Sequence, residues 1–375
     1  MNIIIGGDLS PTPANYEFFK IGDVISLVGQ DLYNEWMGAD FRLFNLETTL
    51  ADVDSPIHKQ GPALRAPSDT IAGIKALNPQ LVCTANNHIY DHGKLGYSST
   101  IELLNTNGIP FVGSGENLKQ SSTPYIFSGE KKIGIYACAD NEFTIATNNA
   151  PGANPFDPLE SFDHIMKLKQ NCDYVIVLYH GAKELYRYPS PYIQRICRKM
   201  AEKGADVIVL QHSHCIGCEE LYNGSIILYG QGNFIFGVSS HEFSKTALLL
   251  KLSFEGGVKA DYIPIVKNGA ATRLADTAEA DGIMSAFRER SEQILESGFI
   301  ENEYDNFSRN YYSYYYQNLL RYPRWLKKLN SISNDRLLKY LNNKNHTLFL
   351  SDMITCDAHR ELFTHIIKTE IEKFE

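Results

Sequence analysis

Long apolar runs are missing from this chain of 375 residues, and no stretch approaches the roughly 18 needed to cross a bilayer. No transmembrane helix or integral membrane segment is therefore expected. The opening Met-Asn-Ile-Ile-Ile-Gly-Gly-Asp has neither a basic n-region nor a long apolar core, so no signal peptide is expected and the reading is cytoplasmic. A disulfide framework is missing too. The seven cysteines are odd in number and scattered, and several sit inside apolar runs (Cys83, Cys138, Cys172), which fits a reducing compartment. Neither G-x-x-x-x-G-K-[ST] nor G-x-G-x-x-G occurs, leaving nucleotide-loop chemistry unsupported. Nor is there a basic excess. A formal net charge of −9 argues against nucleic acid as the main partner, and likewise against an acidic membrane. An anionic substrate stays open, because bound metal inverts the local field. No internal repeat of fixed period occurs.

What is present reads as α/β. Hydrophobic content of 43% and charged content of 21% are those of a soluble globular chain, long enough for one large domain with an appendage or for two domains. Short apolar runs bounded by Gly, Asn, Asp or Pro predict strands at Asn2–Ile5, Arg42–Asn45, Leu81–Thr84, Ile133–Ala137, Tyr174–Leu178, Val207–Leu210 and Ser225–Tyr229. Helical spacing predicts Asp69–Leu77, Ser98–Asn107, Phe162–Gln170 and Tyr192–Lys203 between them, which is β-α-β punctuation. Ala247–Phe254 and Val258–Pro264 read as a hairpin around Glu255-Gly256-Gly257. From about Asp276 strand signals stop. The expected division is a domain over 1–268 and a helical subdomain over 276–375.

Most of the first domain's apolar runs end on a metal-seeking side chain. I-I-I-G-G-D ends at Asp8 and R-L-F-N-L-E at Glu47. L-V-C-T-A-N-N-H ends at Asn87 and His88, I-V-L-Y-H at His180, and V-I-V-L-Q-H-S-H at His212 and His214. In an open α/β protein the carboxyl ends of several strands converge on one crevice. Singly, Asp8 reads as a turn residue after Gly-Gly and Glu47 as a solvated strand end. Together, two carboxylates, an amide and three imidazoles suit one or two divalent ions of Mn, Zn or Fe type. Residues two apart in an extended segment share a side, so His212 and His214 are expected to reach one ion or two. Asn87 and His88, being adjacent, face different ways, so one can bind metal while the other meets substrate. Two ions about 3.5–4 Å apart clamp an oxyanion and lower the pKa of a bridging water toward about 7. The resulting hydroxide would attack phosphorus or an acyl carbon, with His88 as the catalytic residue that stabilises the transition-state charge or protonates the leaving oxygen.

The ordered set G-D, N-L-E, A-N-N-H-x-x-D-x-G, H-G-x-x-E, H-x-H and Y-G-Q-G-N-F-I-F resembles the CapA-type proteins of capsule and poly-gamma-glutamate biosynthesis, within the calcineurin-like metallophosphatase superfamily. The resemblance runs from about Asn2 to Pro264. It implies a four-layer α/β/β/α sandwich, here with a C-terminal helical extension. It also implies metal ligands at Asp8, Glu47, Asn87, His180, His212 and His214, with Glu47 bridging and His88 off the metal. Two positions depart from the wider superfamily. Ser10 stands where Asp-x-His has its histidine, and Gln211 stands where a Gly precedes H-x-H. Typical relatives carry an N-terminal anchor or export signal, which is not expected here.

Weaker features fill in the surroundings. Asp91 is expected to shape the turn presenting Asn87 and His88, or to orient a histidine. Glu184 reads equally as a substrate contact and as a helix-start carboxylate, while Arg65 is an anion-binding candidate or a surface residue. Cys215 and Cys218 read as an incidental pair. Tyr311, Tyr312, Tyr315 and Tyr316 have the spacing of a helix face packed on a neighbour. The functional expectation is a metal-dependent hydrolase, of phosphoesters foremost, acting on an anionic small molecule or polymer. The alternatives are a non-turnover metal-binding accessory protein of polymer assembly, and an amide hydrolase on gamma-glutamyl or peptidoglycan material.

Overall fold

The computed structural model describes residues 1–319, 321–341 and 344–372. Two sheets carry the first part of the chain. One has eight strands: Ala271–Leu274, Lys259–Asn268, Thr246–Ser253, Asn2–Leu9, Phe41–Leu46, Leu81–Cys83 and Phe111–Val112 in spatial order, with Asn233–Ile235 paired to the end of Asn2–Leu9. The other has six, in the order Glu219–Tyr222, Ser225–Leu228, Val207–Gln211, Tyr174–His180, Lys132–Ala139 and Tyr125–Ser128. Asn2–Leu9, Phe41–Leu46 and Leu81–Cys83 run parallel, as do Lys132–Ala139, Tyr174–His180 and Val207–Gln211. Each parallel set therefore delivers its carboxyl ends to one edge of its sheet.

The strands are apolar on both faces because both faces are covered. Ile3, Ile5, Phe41, Leu43, Ile176, Leu178, Val207 and Val209 fill the space between the sheets. Their alternating neighbours point outward. Ile4, Phe44 and Val82 meet Phe19, Leu27, Trp36 and Ile74 from the helices Tyr16–Lys20, Val24–Met37 and Ile71–Ala76. On the other sheet Val175, Val177 and Ile208 meet Ile165, Ile196 and Met200 from Ser161–Lys169 and Pro191–Glu202. The layers are α/β/β/α, with helices continuing to the C-terminal side.

The expected hairpin forms, with Thr246–Ser253 antiparallel to Lys259–Asn268. The domain limit lies elsewhere than composition implies. The first compact unit runs to Glu301, past the 268–276 boundary. Its helix Thr277–Gln293 starts at a capping box on Asp276 and Glu279 and is fastened to both sheets. Phe287 packs on Tyr262 with ring centroids 4.8 Å apart. Ser291 Oγ accepts from Glu219 N at 2.8 Å, and Arg290 Nε donates to the Gly217 carbonyl at 2.8 Å. The second unit, Asn302–Glu375, is helical, through Arg324–Ile332, Arg336–Leu341, Lys344–Thr355 and Asp357–Glu372. Leu320, inside the tyrosine-rich stretch, lies outside the described residues.

If the helix Thr277–Gln293 belongs to the first unit's core, deleting its buried ring must cost what a core deletion costs. Phe287→Ala is expected to destabilise by about 3–5 kcal/mol, whereas exposed Leu295→Ala stays within about 0.5 kcal/mol. Denaturant unfolding followed by circular dichroism checks this, and a Phe287→Ala loss below about 1 kcal/mol would detach the helix from the core.

Candidate metal centre

Six side chains named from the sequence meet at the strand ends. Asp8 closes Asn2–Leu9, Glu47 follows Phe41–Leu46, and Asn87 lies in the turn after Leu81–Cys83. His180 ends Tyr174–His180, and His212 and His214 follow Val207–Gln211. Three come from each sheet. Local glycines permit the approach. A Cβ at Gly7 would lie 1.9 Å from the Gly232 carbonyl oxygen, so the strand bearing Asp8 can run beside Asn233 only with Gly there.

The distances are short. His180 Nε2 stands 3.3 Å from Glu47 Oε1 and 3.0 Å from Asn87 Oδ1. His212 Nδ1 lies 3.1 Å from the same His180 nitrogen. His214 Nδ1 is 3.5 Å from Asp8 Oδ2, and His214 Nε2 is 3.9 Å from Glu47 Oε1. Two groups bring ligand atoms within 4.8 Å of one another: Glu47 with His180 and His212, and Asp8 with Glu47 and His214. Glu47 is common to both.

Glu47 is also the residue that tests whether a cation fits. It is fully buried, and neither carboxylate oxygen has a hydrogen-bond partner. Burial, reinforced by Asp8, pushes its carboxyl up to about 8, against the pull of His214 and His88. A buried carboxylate without donors is costly unless a positive charge satisfies it. Burial also lowers His180, and lowers His212 strongly with help from the other imidazoles. Neutral imidazoles are what metal coordination needs. At His214 burial opposes protonation, but Glu47 and Asp8 outweigh it and the imidazolium is favoured. A divalent ion would replace that proton's charge. The donor set of carboxylate, amide and imidazole therefore fits divalent metal.

The H-S-H segment departs from expectation. It is not extended: His212 has φ of 85° and His214 of 53°, both in the left-handed region that non-glycine residues avoid. The rings converge because the backbone coils back, and the His212 N–H donates to Asp8 Oδ2 at 3.0 Å. Strain of this kind persists only where surroundings enforce it.

His88 sits apart from both groups in its bonding. Its Nδ1 pairs with Asp91 Oδ2 at 2.5 Å, which leaves Nε2 facing Glu47 Oε1 at 3.9 Å. Asp91 also accepts from the Leu64 N–H at 2.6 Å and from Lys59 Nζ. Glu184 is half exposed, 3.9 Å from His212 Nε2. Arg65 is not brought to the cluster. Its guanidinium donates to the Ala51 and Asp52 carbonyls at 3.0 Å each, holding a loop.

Several participants were not named from the sequence. Asn45 Nδ2 donates to Asp8 Oδ1 at 2.8 Å and lies 3.2 Å from His180 Nδ1. Its place in F-N-L-E, two before Glu47, was the available signal. Asn233, in the quoted G-N-F, faces His214 Nδ1 with its Oδ1 at 2.8 Å. Glu142 accepts from Asn87 Nδ2 at 3.3 Å. Lys59 is buried against Asp91 and reaches the Asn87 carbonyl at 3.2 Å. Nothing local marks Glu142 or Lys59. Such neighbours fix ligand orientation as much as the ligands themselves do.

The chain is 28% identical over 187 residues to the PGA biosynthesis protein CapA of Bacillus subtilis (strain 168), covering 49% of this chain and 48% of that one. It is 28% identical over 211 residues to the capsule biosynthesis protein CapA of Bacillus anthracis, covering 54% and 51%. It thus spans about half the length of these curated relatives. Among solved structures, a novel phosphatase from Mycoplasma pneumoniae aligns with a TM-score of 0.45 at 15% identity, over 72% of this chain and 94% of its own. Residues 2–238, which include every member of the cluster, match the family described as bacterial capsule synthesis protein PGA_cap, and to that family this chain belongs.

Proposed function

We propose that the chain is a metal-dependent hydrolase that cleaves phosphoesters, and that its substrate is an anionic molecule or polymer of capsule or poly-gamma-glutamate metabolism. The observation that carries the reading is Glu47, a buried carboxylate with no hydrogen-bond partner, shared by two groups of ligand-type atoms. Asp8, Glu47 and His214 would hold one ion. Glu47, His180 and His212, with Asn87 beside them, would hold a second. Divalent ions there supply Lewis acidity toward an anionic oxygen and make water a stronger nucleophile. The polymer class rests on the names of the relatives.

The chain's own residues supply proton handling and position. Asp91 holds His88 Nδ1 and so fixes which nitrogen faces the cluster. His88 Nε2 is then the group that delivers a proton to the leaving oxygen. Lys59 balances the Asp91 charge and ties it to the Asn87 backbone, so the general acid and a ligand share one turn. Asn45 and Asn233 orient Asp8 and His214.

A second reading has one observation in its favour. Ser10, two after Asp8, turns its hydroxyl toward the Pro11 carbonyl at 3.5 Å and adds no ligand to Asp8, Glu47 and His214, whereas Asn87 stands 3.0 Å from His180 beside the other three. A chain that holds metal without turnover, as an accessory to polymer assembly, fits that shortage. Amide hydrolysis of gamma-glutamyl material would use the same residues.

Two measurements separate these readings. Metal added to chelator-stripped protein is expected to raise Tm, and Glu47→Gln is expected to abolish the rise and the bound metal found by elemental analysis. An unchanged metal content in Glu47→Gln removes the shared-carboxylate assignment. His88→Ala is expected to retain metal while losing about 10²–10⁴-fold in turnover. The substrates are a chromogenic phosphomonoester, a phosphodiester and a gamma-glutamyl anilide. Wild-type protein loaded with metal and inert on the phosphoesters would pass the site to the accessory reading, or to the amidase reading if the anilide is cleaved. Loss of metal in His88→Ala would make that histidine a ligand.

A further inference from the structure

One segment of the second unit concentrates positive charge in a chain that is acidic as a whole. Between residues 309 and 344 stand eight Lys and Arg (Arg309, Arg321, Arg324, Lys327, Lys328, Arg336, Lys339, Lys344) against one acidic residue, Asp335. The chain's net charge is −9. The helix Arg324–Ile332 lies in this segment and wears its apolar stripe outward. Trp325, Leu329 and Ile332, spaced four and three apart, share one face and are 64%, 48% and 71% exposed. Lys328 and Arg324 border that stripe along one side in the helical projection. In the next helix, Arg336–Leu341, Tyr340 is 82% exposed and Leu341 is 43% exposed.

The inward side of this pair of helices is held by polar contacts instead. Asn330 is fully buried. Its Nδ2 donates to Asp335 Oδ1 at 2.6 Å, and its Oδ1 accepts from the Leu338 N–H at 2.8 Å. Leu338 is the buried apolar residue at that turn. The turn thus fixes which face is out, and the face left out carries Trp325, Leu329 and Ile332 beside Lys328 and Arg324.

The geometry points to an anionic lipid surface as the partner of this face. Cations beside an outward apolar stripe with Trp and Tyr are the signature of a helix lying in the membrane interface. Each Lys or Arg near such a surface adds attraction, and the apolar stripe adds burial. A polyanion such as nucleic acid would satisfy the cations but leave Leu329, Ile332 and Leu341 in water. No helix among the described residues is long and apolar enough to span a bilayer, so attachment of this kind would be peripheral. The inference does not rest on the proposed hydrolase.

The chain's two tryptophans make the test direct. Trp36 is fully buried in the first unit, so any environmental change on adding vesicles reports Trp325. Full-length protein is mixed with phosphatidylglycerol–phosphatidylcholine vesicles and with pure phosphatidylcholine vesicles, and both co-sedimentation and tryptophan emission are read. Binding and a blue shift are expected with the anionic vesicles only, with binding falling as salt screens the attraction. R324E/K328E is expected to bind at least about 30-fold more weakly, and Trp325→Phe to bind while losing the blue shift. Three results would overturn the proposal. One is no co-sedimentation at low salt. Another is binding with unchanged Trp325 emission. The third is tight binding of a single-stranded oligonucleotide without vesicle binding, which would assign the face to a polymer.

Discussion

Glu47 sets the terms for the rest of the first unit. A carboxylate taken wholly out of water must find donors or a cation, and in this fold its oxygens find no donors. What surrounds it instead is nitrogen: His88, His180 and His214 each have a ring nitrogen within 3.9 Å of Oε1. The amides of Asn45, Asn87 and Asn233 then hold the surrounding groups in place, since an unheld imidazole would turn to pair with the carboxylate. The glycine at position 7 and the left-handed backbone at His212 and His214 belong to the same constraint. The first lets the Asp8 strand run against Gly232, and the second turns the chain back at the two histidines that follow Val207–Gln211.

The backbone at His212 and His214 is informative about where strain is placed. Two non-glycine residues with positive φ, one residue apart, are destabilising by themselves, on the order of 1–3 kcal/mol each. The His212 N–H bond to Asp8 Oδ2 shows what holds one of them. A carboxylate that anchors backbone with one oxygen and accepts from Asn45 with the other has little freedom to rotate. Rigidity at Asp8 is thus a by-product of the strained turn opposite it.

How far the fold could be read from the sequence depended on burial. Strands covered on both faces show as unbroken apolar runs, such as Ile3-Ile4-Ile5 and Val207-Ile208-Val209, and these were legible. Edge strands were not. Phe111–Val112 is two residues long, and Glu219–Tyr222 is half exposed. The helix Thr277–Gln293 was legible as a helix but not as a member of the first unit, because Phe287 and Arg290 acquire their partners only through residues far away in the chain. The same limit applied at the cluster. Side chains that end strands announce themselves by position, whereas Lys59 and Glu142 arrive from loops and carry no local pattern. Arg65 shows the converse, a cation in a suggestive motif whose donors are spent on loop carbonyls.

Three members of the cluster come from each sheet, and His212 and Asp8, which touch directly, are 204 positions apart in sequence. This has a consequence for biosynthesis. Until the chain has been made past His214, one half of the cluster does not exist, and until the sheets close the two halves do not meet. Closing so long a loop is among the slow events of folding. A nascent or half-folded chain therefore presents at most half of the donor set, and any ion the full cluster holds would be taken up after tertiary closure, as a last step of maturation instead of a nucleus for it.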